Sequence, residues 1–297
     1  MMMNDYIDLH VHSTASDGSF TPSELVHLAA KKNLVAFALT DHDTTAGLSE
    51  ALLAADEYNR SLDSTDASTH PITVIPGIEI STGFQGEDIH VLGYNIHYND
   101  ISLLDELEHL RNVRTQRNVK MLSLLRDSGF PFTDELINKR FGSDTVITRA
   151  HYAILLVEMG YCKDKNEAFQ KYLGHGCPCY VPRTMISPME AVRIIRRAGG
   201  HPVLAHPVLY KIASSIDNEE FHQLIDDMIA CGLEGIEAIY CLNTPEDDIR
   251  FLEFANSKGL FITGGSDFHG DAKPGLELGT GYNHSLRIPA SILHSIT

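Results

Sequence analysis

Seven short apolar runs recur along the chain, each with the alternation or the β-branched content that is typical of a strand. Between most of them lie segments whose apolar residues have helical spacing. The clearest helix start is at Thr21, where Pro22 and Glu24 complete the pattern of a capped N-terminus. Strands alternating with helices predict a mostly parallel sheet. The predicted strands are residues 6–12, 34–40, 72–80, 89–96, 202–205, 234–240 and 260–264.

This alternation stops between about residues 99 and 190, where no clear strand pattern occurs. Residues 101–126 and the segment from Pro188 onward have helical patterns instead. We therefore predict one discontinuous domain, formed by residues 4–98 and 191–297, with a small helical domain, residues 99–190, inserted into it.

Clusters of histidine and carboxylate residues occur at or just beyond the predicted strands. Residues i and i+2 of a strand point to the same face, so both imidazoles of the first cluster can reach one ion. The repetition predicts a site for more than one metal ion, and its position at strand ends favours a barrel with the site on its C-terminal face over an open, doubly wound sheet. The clusters are His10 and His12 with Asp17, His42 between Asp41 and Asp43, Glu79 leading to His90, His206, and Asp267 with His269.

Other polar residues near these motifs have simpler interpretations. We expect Asp41 and Asp43 to orient imidazoles or to cap the next helix, with structural ion pairing as the main alternative. We expect Glu234 and Glu237 to have ordinary solvent or interstrand roles. The pair Gly264-Gly265 predicts a close approach of the backbone to the site, although chain bending alone would also explain it. Three further histidines are interpreted as packed or surface residues: His97, His201 and His222.

Composition limits the possible partners. The chain has 297 residues, and no stretch approaches the roughly 18 consecutive apolar residues of a membrane helix, so we expect a cytoplasmic protein with no membrane partner. Five cysteines without a C-x-x-C pair are expected to be reduced thiols. A net charge of −17 opposes nonspecific binding of long DNA, but it does not exclude a small phosphorylated substrate at a metal site.

The motifs together resemble those of the PHP (polymerase and histidinol phosphatase) family of metal-dependent phosphoesterases. The resemblance rests on His10-Val11-His12 and on four further segments in the family's order. The region around Asp17-Gly18-Ser19 and the segment 198–207 are similar to the branch linked to the tryptophan operon. The other segments are Thr40-Asp41-His42-Asp43-Thr44, Pro76-Gly77-Ile78-Glu79-Ile80-Ser81, Ala205-His206-Pro207 and Ser266-Asp267-Phe268-His269.

The resemblance implies a distorted (β/α)7 barrel that holds two to three divalent ions, Mn by preference and Fe or Zn as alternatives. The third position varies within the family, in which some members have His in place of the acid at position 17. By this resemblance, the first ion takes His10, His12, Glu79 and Asp267, the second shares Glu79 and adds His90 and His206, and the third takes Asp17, His42 and His269.

The chemistry of phosphate esters fits such a site. Two ions bridged by Glu79 would lower the pKa of a water between them, and the resulting hydroxide would attack phosphorus. His206 and His42 are alternative sources of the leaving-group proton. The resembling branch acts on nucleotide bisphosphates or on 5′ ends of short RNA, which implies a substrate such as adenosine 3′,5′-bisphosphate, with AMP and phosphate as products. A cyclic phosphodiesterase and a noncatalytic metal-binding accessory module are the alternatives.

Cations of the predicted insertion are candidates for binding the rest of a phosphorylated substrate, and the insertion is expected to form a lid. Four of them recur at a three-residue step on one predicted helix, although a solvated basic face would give the same pattern. Arg149 and Arg183 have the same two interpretations. The helical cations are Arg111, Arg114, Arg117 and Lys120, of which Arg111 and Arg114 are predicted with Arg149 and Arg183 to bind substrate.

Overall fold

The computed structural model describes residues 5–62, 70–142, 147–182 and 185–296. The chain divides into two compact units, one formed by Met1–Asp105 with Met185–Thr297 and the other by Glu106–Thr184. The second unit is shorter at both ends than the expected insertion of residues 99–190. One helix, α3 (Ile101–Asp127), begins in the first unit and ends in the second.

Eight strands of the first unit form one sheet in the order β10-β1-β2-β3-β4-β5-β6-β7. Neighbours pair in parallel except around β4, which is antiparallel to both β3 and β5, and at the edge, where β10 is antiparallel to β1. The strands are β1 (Tyr6–Val11), β2 (Leu34–Leu39), β3 (Thr73–Phe84), β4 (Glu87–Tyr94), β5 (His201–Leu204), β6 (Gly235–Tyr240), β7 (Phe261–Gly265) and β10 (Ile288–Pro289). A separate hairpin pairs β8 (Leu276–Glu277) with β9 (Gly281–Tyr282).

The sheet curves so far that its first and seventh strands nearly meet. Beyond the ends of β1 and β7, the His12 N–H donates to the Phe268 carbonyl at 2.9 Å, and the Phe268 N–H donates to the His10 carbonyl at 3.2 Å. This near closure confirms the predicted distorted (β/α)7 barrel with an inserted helical domain, and the open doubly wound alternative is wrong.

Helices connect most of the barrel strands, as the alternation predicted. Helix α1 begins with the predicted capping box, in which Thr21 accepts from the Glu24 N–H and Glu24 accepts from the Thr21 N–H. The helices of this unit are α1 (Pro22–Lys31), α2 (Leu48–Ser61), α7 (Pro188–Arg197), α8 (Glu219–Ala230) and α9 (Pro245–Lys258), with α3 (Ile101–Asp127) starting at its edge.

The second unit is helical over the residues that the structure describes, and it has a hydrophobic core of its own. Side chains such as Leu125, Phe132, Leu156 and Leu173 are buried together there. Its helices are the greater part of α3, α4 (Asp134–Phe141), α5 (Arg149–Glu158) and α6 (Lys165–Ala168), which continues into a π-helical turn at Phe169–Leu173.

No helix in the described part of the chain combines the length and the apolar character that crossing a bilayer requires.

Candidate metal centre

Strand β1 brings the first two predicted ligands into the barrel. Ile7, Leu9 and Val11 lie on one face of the strand, so His10 and, just beyond the strand, His12 lie on the other. Both imidazoles are completely buried. Their Nε2 atoms lie 3.3 and 3.1 Å from the same Glu79 oxygen, Oε2.

Glu79, on β3, is at the centre of the cluster, and its two carboxylate oxygens face different histidines. Besides His10 and His12, Oε2 lies 3.1 Å from Nδ1 of His42. The other oxygen, Oε1, lies 2.8 Å from Nδ1 of His90 and 3.0 Å from Nε2 of His206. One carboxylate therefore joins two groups of imidazoles.

Asp17 and Asp267 lie on the other side of His12, close to His269. Asp17 Oδ1 lies 3.2 Å from His269 Nε2, and Asp17 Oδ2 lies 3.9 Å from His42 Nε2. Asp267 Oδ1 lies 3.3 Å from His269 Nδ1 and 3.5 Å from His12 Nε2. All nine side chains that the sequence singled out as metal ligands are thus brought into one cluster by strand ends far apart in the sequence.

Asp41 and Asp43 accept hydrogen bonds from backbone and hydroxyl groups of the site. Asp41 accepts from the Ser13 N–H at 2.8 Å and from the Ser16 hydroxyl at 2.6 Å, and Asp43 accepts from the Ser81 N–H at 2.9 Å. The expectation that they cap the next helix was wrong, since α2 begins later, after Gly47, without a side-chain cap. Their carboxylates instead fix the loops from which ligands project. Against the effect of burial, Asp43 also raises the pKa of His90, after the larger effect of Glu79.

Burial and charge set the protonation of the cluster. Burial would raise the pKa of Glu79, but His42, His10 and His90 hold that pKa well below its usual range. Burial lowers the pKa of His12 well below its usual range, which keeps this imidazole neutral. For His10, burial is outweighed by Glu237, Glu79 and Asp267, so its pKa is raised and its imidazole must release a proton when it binds an ion. Ionised carboxylates and neutral imidazoles are the forms that bind metals.

Several buried ligand atoms have no hydrogen-bond partner of suitable geometry within the described chain. Buried polar atoms in proteins are rarely left unpaired, so such a group indicates a missing partner. The atoms are Nε2 of His10, Nδ1 and Nε2 of His12, Nδ1 of His42, Nδ1 of His206, and Oε2 of Glu79.

The spacing of the ligand atoms fits metal ions. Ligands about 2.1 Å from an ion lie about 3.0 Å apart in an octahedron and about 3.4 Å apart in a tetrahedron. The closest contacts of the cluster, 2.8–3.9 Å, fall around these values. Three groups, whose ligand atoms lie within 4.8 Å of one another, suit an ion: His10, His12 and Glu79; His42, Glu79 and His90; and His12, Asp17, His42 and His269.

Sequence reasoning missed Glu237, which was expected to have an ordinary solvent or interstrand role. Its side chain is completely buried and lies 3.0 Å from His10 Nδ1. The expectation held for Glu234, whose carboxylate pairs with His201 at the protein surface. A single carboxylate between apolar residues of a strand, here Ile236 and Ala238, was the signal in the sequence that Glu237 could be buried. That signal does not identify His10 as its partner.

Asp267 has two further partners that the sequence did not indicate. The Tyr240 hydroxyl donates to Asp267 Oδ2 at 2.8 Å, and the Lys273 ammonium forms an ion pair with the same oxygen. Lys273 holds the pKa of Asp267 well below its usual range, against the effect of burial. Asp267 therefore keeps its negative charge, with Oδ1 turned toward the histidines.

The predicted substrate-binding arginines belong to the second unit. Arg149 is the first residue of α5, and its guanidinium lies 5.9 and 6.0 Å from the ring centres of Phe169 and Tyr180. Arg111 lies on α3 and is half-buried. Arg183 and the side chain of Arg114 lie outside the described residues. The Nε of Arg117, a cation of the same helix, donates to the Val181 carbonyl at 3.0 Å.

Comparison with known proteins gives matches that extend over most of the chain. Residues 8–179 match the model of the PHP domain. The 5′-3′ exoribonuclease of Haemophilus influenzae is 34% identical over 90% of this chain and 91% of its own length. The 3′,5′-nucleoside bisphosphate phosphatase of Chromobacterium violaceum is 33% identical over 92% of this chain and 90% of its own.

A solved structure is similar over an equally long stretch. It is a protein from Bifidobacterium adolescentis classed as a metal-dependent phosphoesterase, which superposes with a TM-score of 0.83 and 29% identity. The superposition covers 99% of this chain and 96% of that one. The similarity in fold and in sequence thus extends over nearly the entire length of this chain.

Proposed function

The chain belongs to the PHP family and is a metal-dependent phosphoesterase, and we propose that it hydrolyses phosphate monoesters of nucleotides. The proposed reaction converts a 3′,5′-nucleoside bisphosphate, such as adenosine 3′,5′-bisphosphate, to the 5′-monophosphate and inorganic phosphate. Trimming of short RNA from its 5′ end is a second proposed activity. The names of the two relatives, a bisphosphate phosphatase and a 5′-3′ exoribonuclease, support this choice.

The position of Glu79 is the observation that carries the proposal. Its two oxygens face two sets of imidazole nitrogens, as a carboxylate bridging two ions requires. We assign two to three divalent ions to the cluster, with Mn preferred and Fe or Zn as alternatives, because mixed imidazole and carboxylate ligands suit all three metals. The proposed ligands are His10, His12, Asp17, His42, Glu79, His90, His206, Asp267 and His269.

Ions bound there would neutralise charge on the phosphate and would supply a nucleophile at neutral pH. The protein's own part is to hold the ligands rigidly and to present the open side of the cluster to the ester. That side is marked by His90 and His42, whose side chains are 21% and 13% exposed while those of His10 and His12 are fully buried. His42 and His206 are proposed as alternative donors of the leaving-group proton.

The part of the substrate that is not cleaved also carries negative charge, so we propose that cations of the second unit bind it. Guanidinium groups suit this task because they bind phosphate oxygens in pairs and stack on aromatic rings. Arg149, which lies near two aromatic rings, is the best supported of them. The full proposed set is Arg111, Arg114, Arg149 and Arg183.

A substrate panel tests the proposal. Purified protein with Mn²⁺ is given adenosine 3′,5′-bisphosphate, a 5′-phosphorylated dinucleotide and a cyclic nucleotide phosphate, and products are separated by chromatography. We expect AMP and phosphate from the bisphosphate. Asp267→Asn should abolish the reaction, while His201→Gln, a change at a histidine outside the cluster, should leave it intact. Preference for the cyclic phosphate, or equal turnover by Asp267→Asn, would contradict the proposal.

A further inference from the structure

Glu237 is a buried carboxylate that contacts two of the proposed metal ligands, His10 and His206, without being a proposed ligand itself. The geometry points to Glu237 as a positioning residue that selects the metal-binding tautomer of His10 and fixes the backbone of His206. The inference rests on the proposed metal centre, since it concerns how two of its ligands are held. It adds a residue that the motifs did not indicate.

Glu237 contacts His10 through both oxygens and the backbone of His206 through one. Nδ1 of His10 lies 3.0 Å from Oε1 and 3.3 Å from Oε2, and Oε2 also accepts the backbone N–H of His206 at 2.7 Å. Glu237 and His10 are both completely buried. A carboxylate only accepts hydrogen bonds, and the His206 N–H can only donate. The hydrogen bond between them therefore has only one possible direction.

The same rule determines which ring nitrogen of His10 carries the proton. Facing a carboxylate, Nδ1 carries the proton, which leaves the lone pair of Nε2 for an ion. Nε2 lies 3.3 Å from Glu79 Oε2 and has no other hydrogen-bond partner in the described chain. A carboxylate behind a ligating histidine is a recurrent way of orienting the ring and strengthening its metal bond.

The second contact acts on the backbone. His206 has φ +26 and ψ +58, a conformation that a residue with a side chain adopts only when its surroundings impose it. Its N–H is held by Glu237, and its ring Nε2 lies 3.0 Å from Glu79. Glu237 therefore contacts two proposed ligands, one on β1 and one just beyond the end of β5, through a single carboxylate.

Gly265 leaves the room that this arrangement needs. A Cβ built on Gly265 would lie 2.2 Å from the His10 Cβ and 2.8 Å from Glu237 Oε1. Real atoms do not approach so closely, so any side chain at this position would displace the pair. The absence of a side chain thus allows β7 to pack directly against the contact between Glu237 and His10.

Glu237→Gln tests the inference with almost no change in shape. The amide oxygen must accept the His206 N–H and so takes the place of Oε2. The amide NH₂ then takes the place of Oε1, the atom nearer to Nδ1 of His10, and would donate to it. The ring proton would then move to Nε2, the atom that should bind the ion. We expect the affinity for Zn²⁺ or Mn²⁺, measured by calorimetry on metal-free protein, to fall about 10- to 100-fold.

Glu234→Gln is the matched control. Glu234 also faces a histidine, with Oε2 lying 2.6 Å from His201 Nδ1, but that pair lies outside the metal cluster. The control variant should bind the ions as the wild type does. Thermal unfolding of both metal-free variants checks that a loss of affinity does not reflect loss of the fold.

A spectroscopic readout on the wild type keeps the inference testable if Glu237→Gln fails to fold. In Zn²⁺-loaded protein with ¹⁵N-labelled histidine, the His10 ring should show a proton on Nδ1 and none on Nε2, with the signal assigned by its loss in His10→Gln. Nδ1 without a proton, or unchanged affinity in a folded Glu237→Gln protein, would overturn the inference alone. Absence of any metal binding by the wild type would overturn it together with the proposed function.

Discussion

Single carboxylates determine what the cluster can do. Glu79 contacts five histidines through two oxygens, and its pKa is held well below its usual range although burial alone would raise it. An isolated charge in such surroundings would be costly, and pairing with many positive or polar partners is what makes it tolerable. The concentration of charge on one buried residue is therefore a feature of function more than of stability.

Gly265 gives a prediction at the residue scale. In Gly265→Ala the new methyl would overlap the backbone nitrogen and Cβ of His10, so one strand must move. We expect the free energy of unfolding to fall by about 1–3 kcal/mol, as for other overpacked sites, and metal affinity to fall with it. Urea denaturation and calorimetry measure the two effects.

The control is Gly86→Ala in the turn between β3 and β4, where a Cβ meets nothing within 4 Å but φ is +86. It should lower stability by about 1 kcal/mol through backbone strain alone. Its metal affinity should not change. A Gly265→Ala protein that binds metal as tightly as the wild type would show that a methyl group fits beside His10 without disturbing it, which would contradict the structure.

The nine proposed ligands could be chosen as candidates from the sequence because each belongs to a short motif at or near a strand end. Glu237 could not be recognised in this way. It lies in the middle of an apolar strand, and its role depends on His10, which is 227 positions away in the chain. Contacts of this kind arise from barrel closure, which no local pattern encodes.

At the scale of elements, the direction of β4 was the feature that sequence periodicity could not give. Alternation of apolar residues is the same in both directions, so a strand pattern does not reveal its orientation. The predicted strands, 72–80 and 89–96, left a longer gap than the structure has. In the structure β3 ends at Phe84 and β4 begins at Glu87, and both Gln85 and Gly86 have positive φ, as a tight type I′ hairpin requires. This reversal places His90 opposite Ser81, near Glu79.

The capping box of α1 gives a prediction at this scale. Thr21 accepts from the Glu24 N–H, and an alanine there would leave that N–H without its partner. We expect Thr21→Ala to lower the free energy of unfolding by about 1 kcal/mol, measured by urea denaturation, with unchanged phosphatase activity. Thr21→Ser, which keeps the hydroxyl, should recover most of the stability. Equal stability of the alanine variant would mean that the cap contributes nothing to the barrel.

At the scale of the whole molecule, the chain carries a net charge of −17 and yet is proposed to bind a substrate with two phosphates. Long-range repulsion of the anion must then be overcome locally, by the ions at the cluster and by cations of the second unit. The barrel and its inserted domain followed from the order of strand and helix patterns. The positions of the arginines relative to a substrate could not be predicted from the sequence, because a basic helix face has the same pattern whether it binds phosphate or water.

A substitution at Arg149 tests whether a cation of the second unit binds the part of the substrate that is not cleaved. In Arg149→Glu the helix should persist, since a carboxylate in the first turn is favourable to a helix. We expect KM for adenosine 3′,5′-bisphosphate to rise at least about tenfold, the effect of losing a charge-assisted hydrogen bond, and KM for a small aryl phosphate to change little.

Lys139→Glu makes the same change of charge at an exposed position of α4 in the same unit and should leave both KM values near those of the wild type. If Arg149→Glu and Lys139→Glu raised KM equally, the effect would come from net charge. If Arg149→Glu affected both substrates alike, Arg149 would not contact the part of the nucleotide that is not cleaved.

The most direct test of the metal centre is anomalous X-ray diffraction from crystals of the protein grown with Mn²⁺. Peaks are predicted on both sides of the Glu79 carboxylate, about 2.0–2.3 Å from its oxygens and from the imidazole nitrogens around it. Two or three such peaks, absent from crystals of Glu79→Gln, would agree with the account. No anomalous peak within bonding distance of Glu79, in crystals whose histidines are positioned as described, would contradict it.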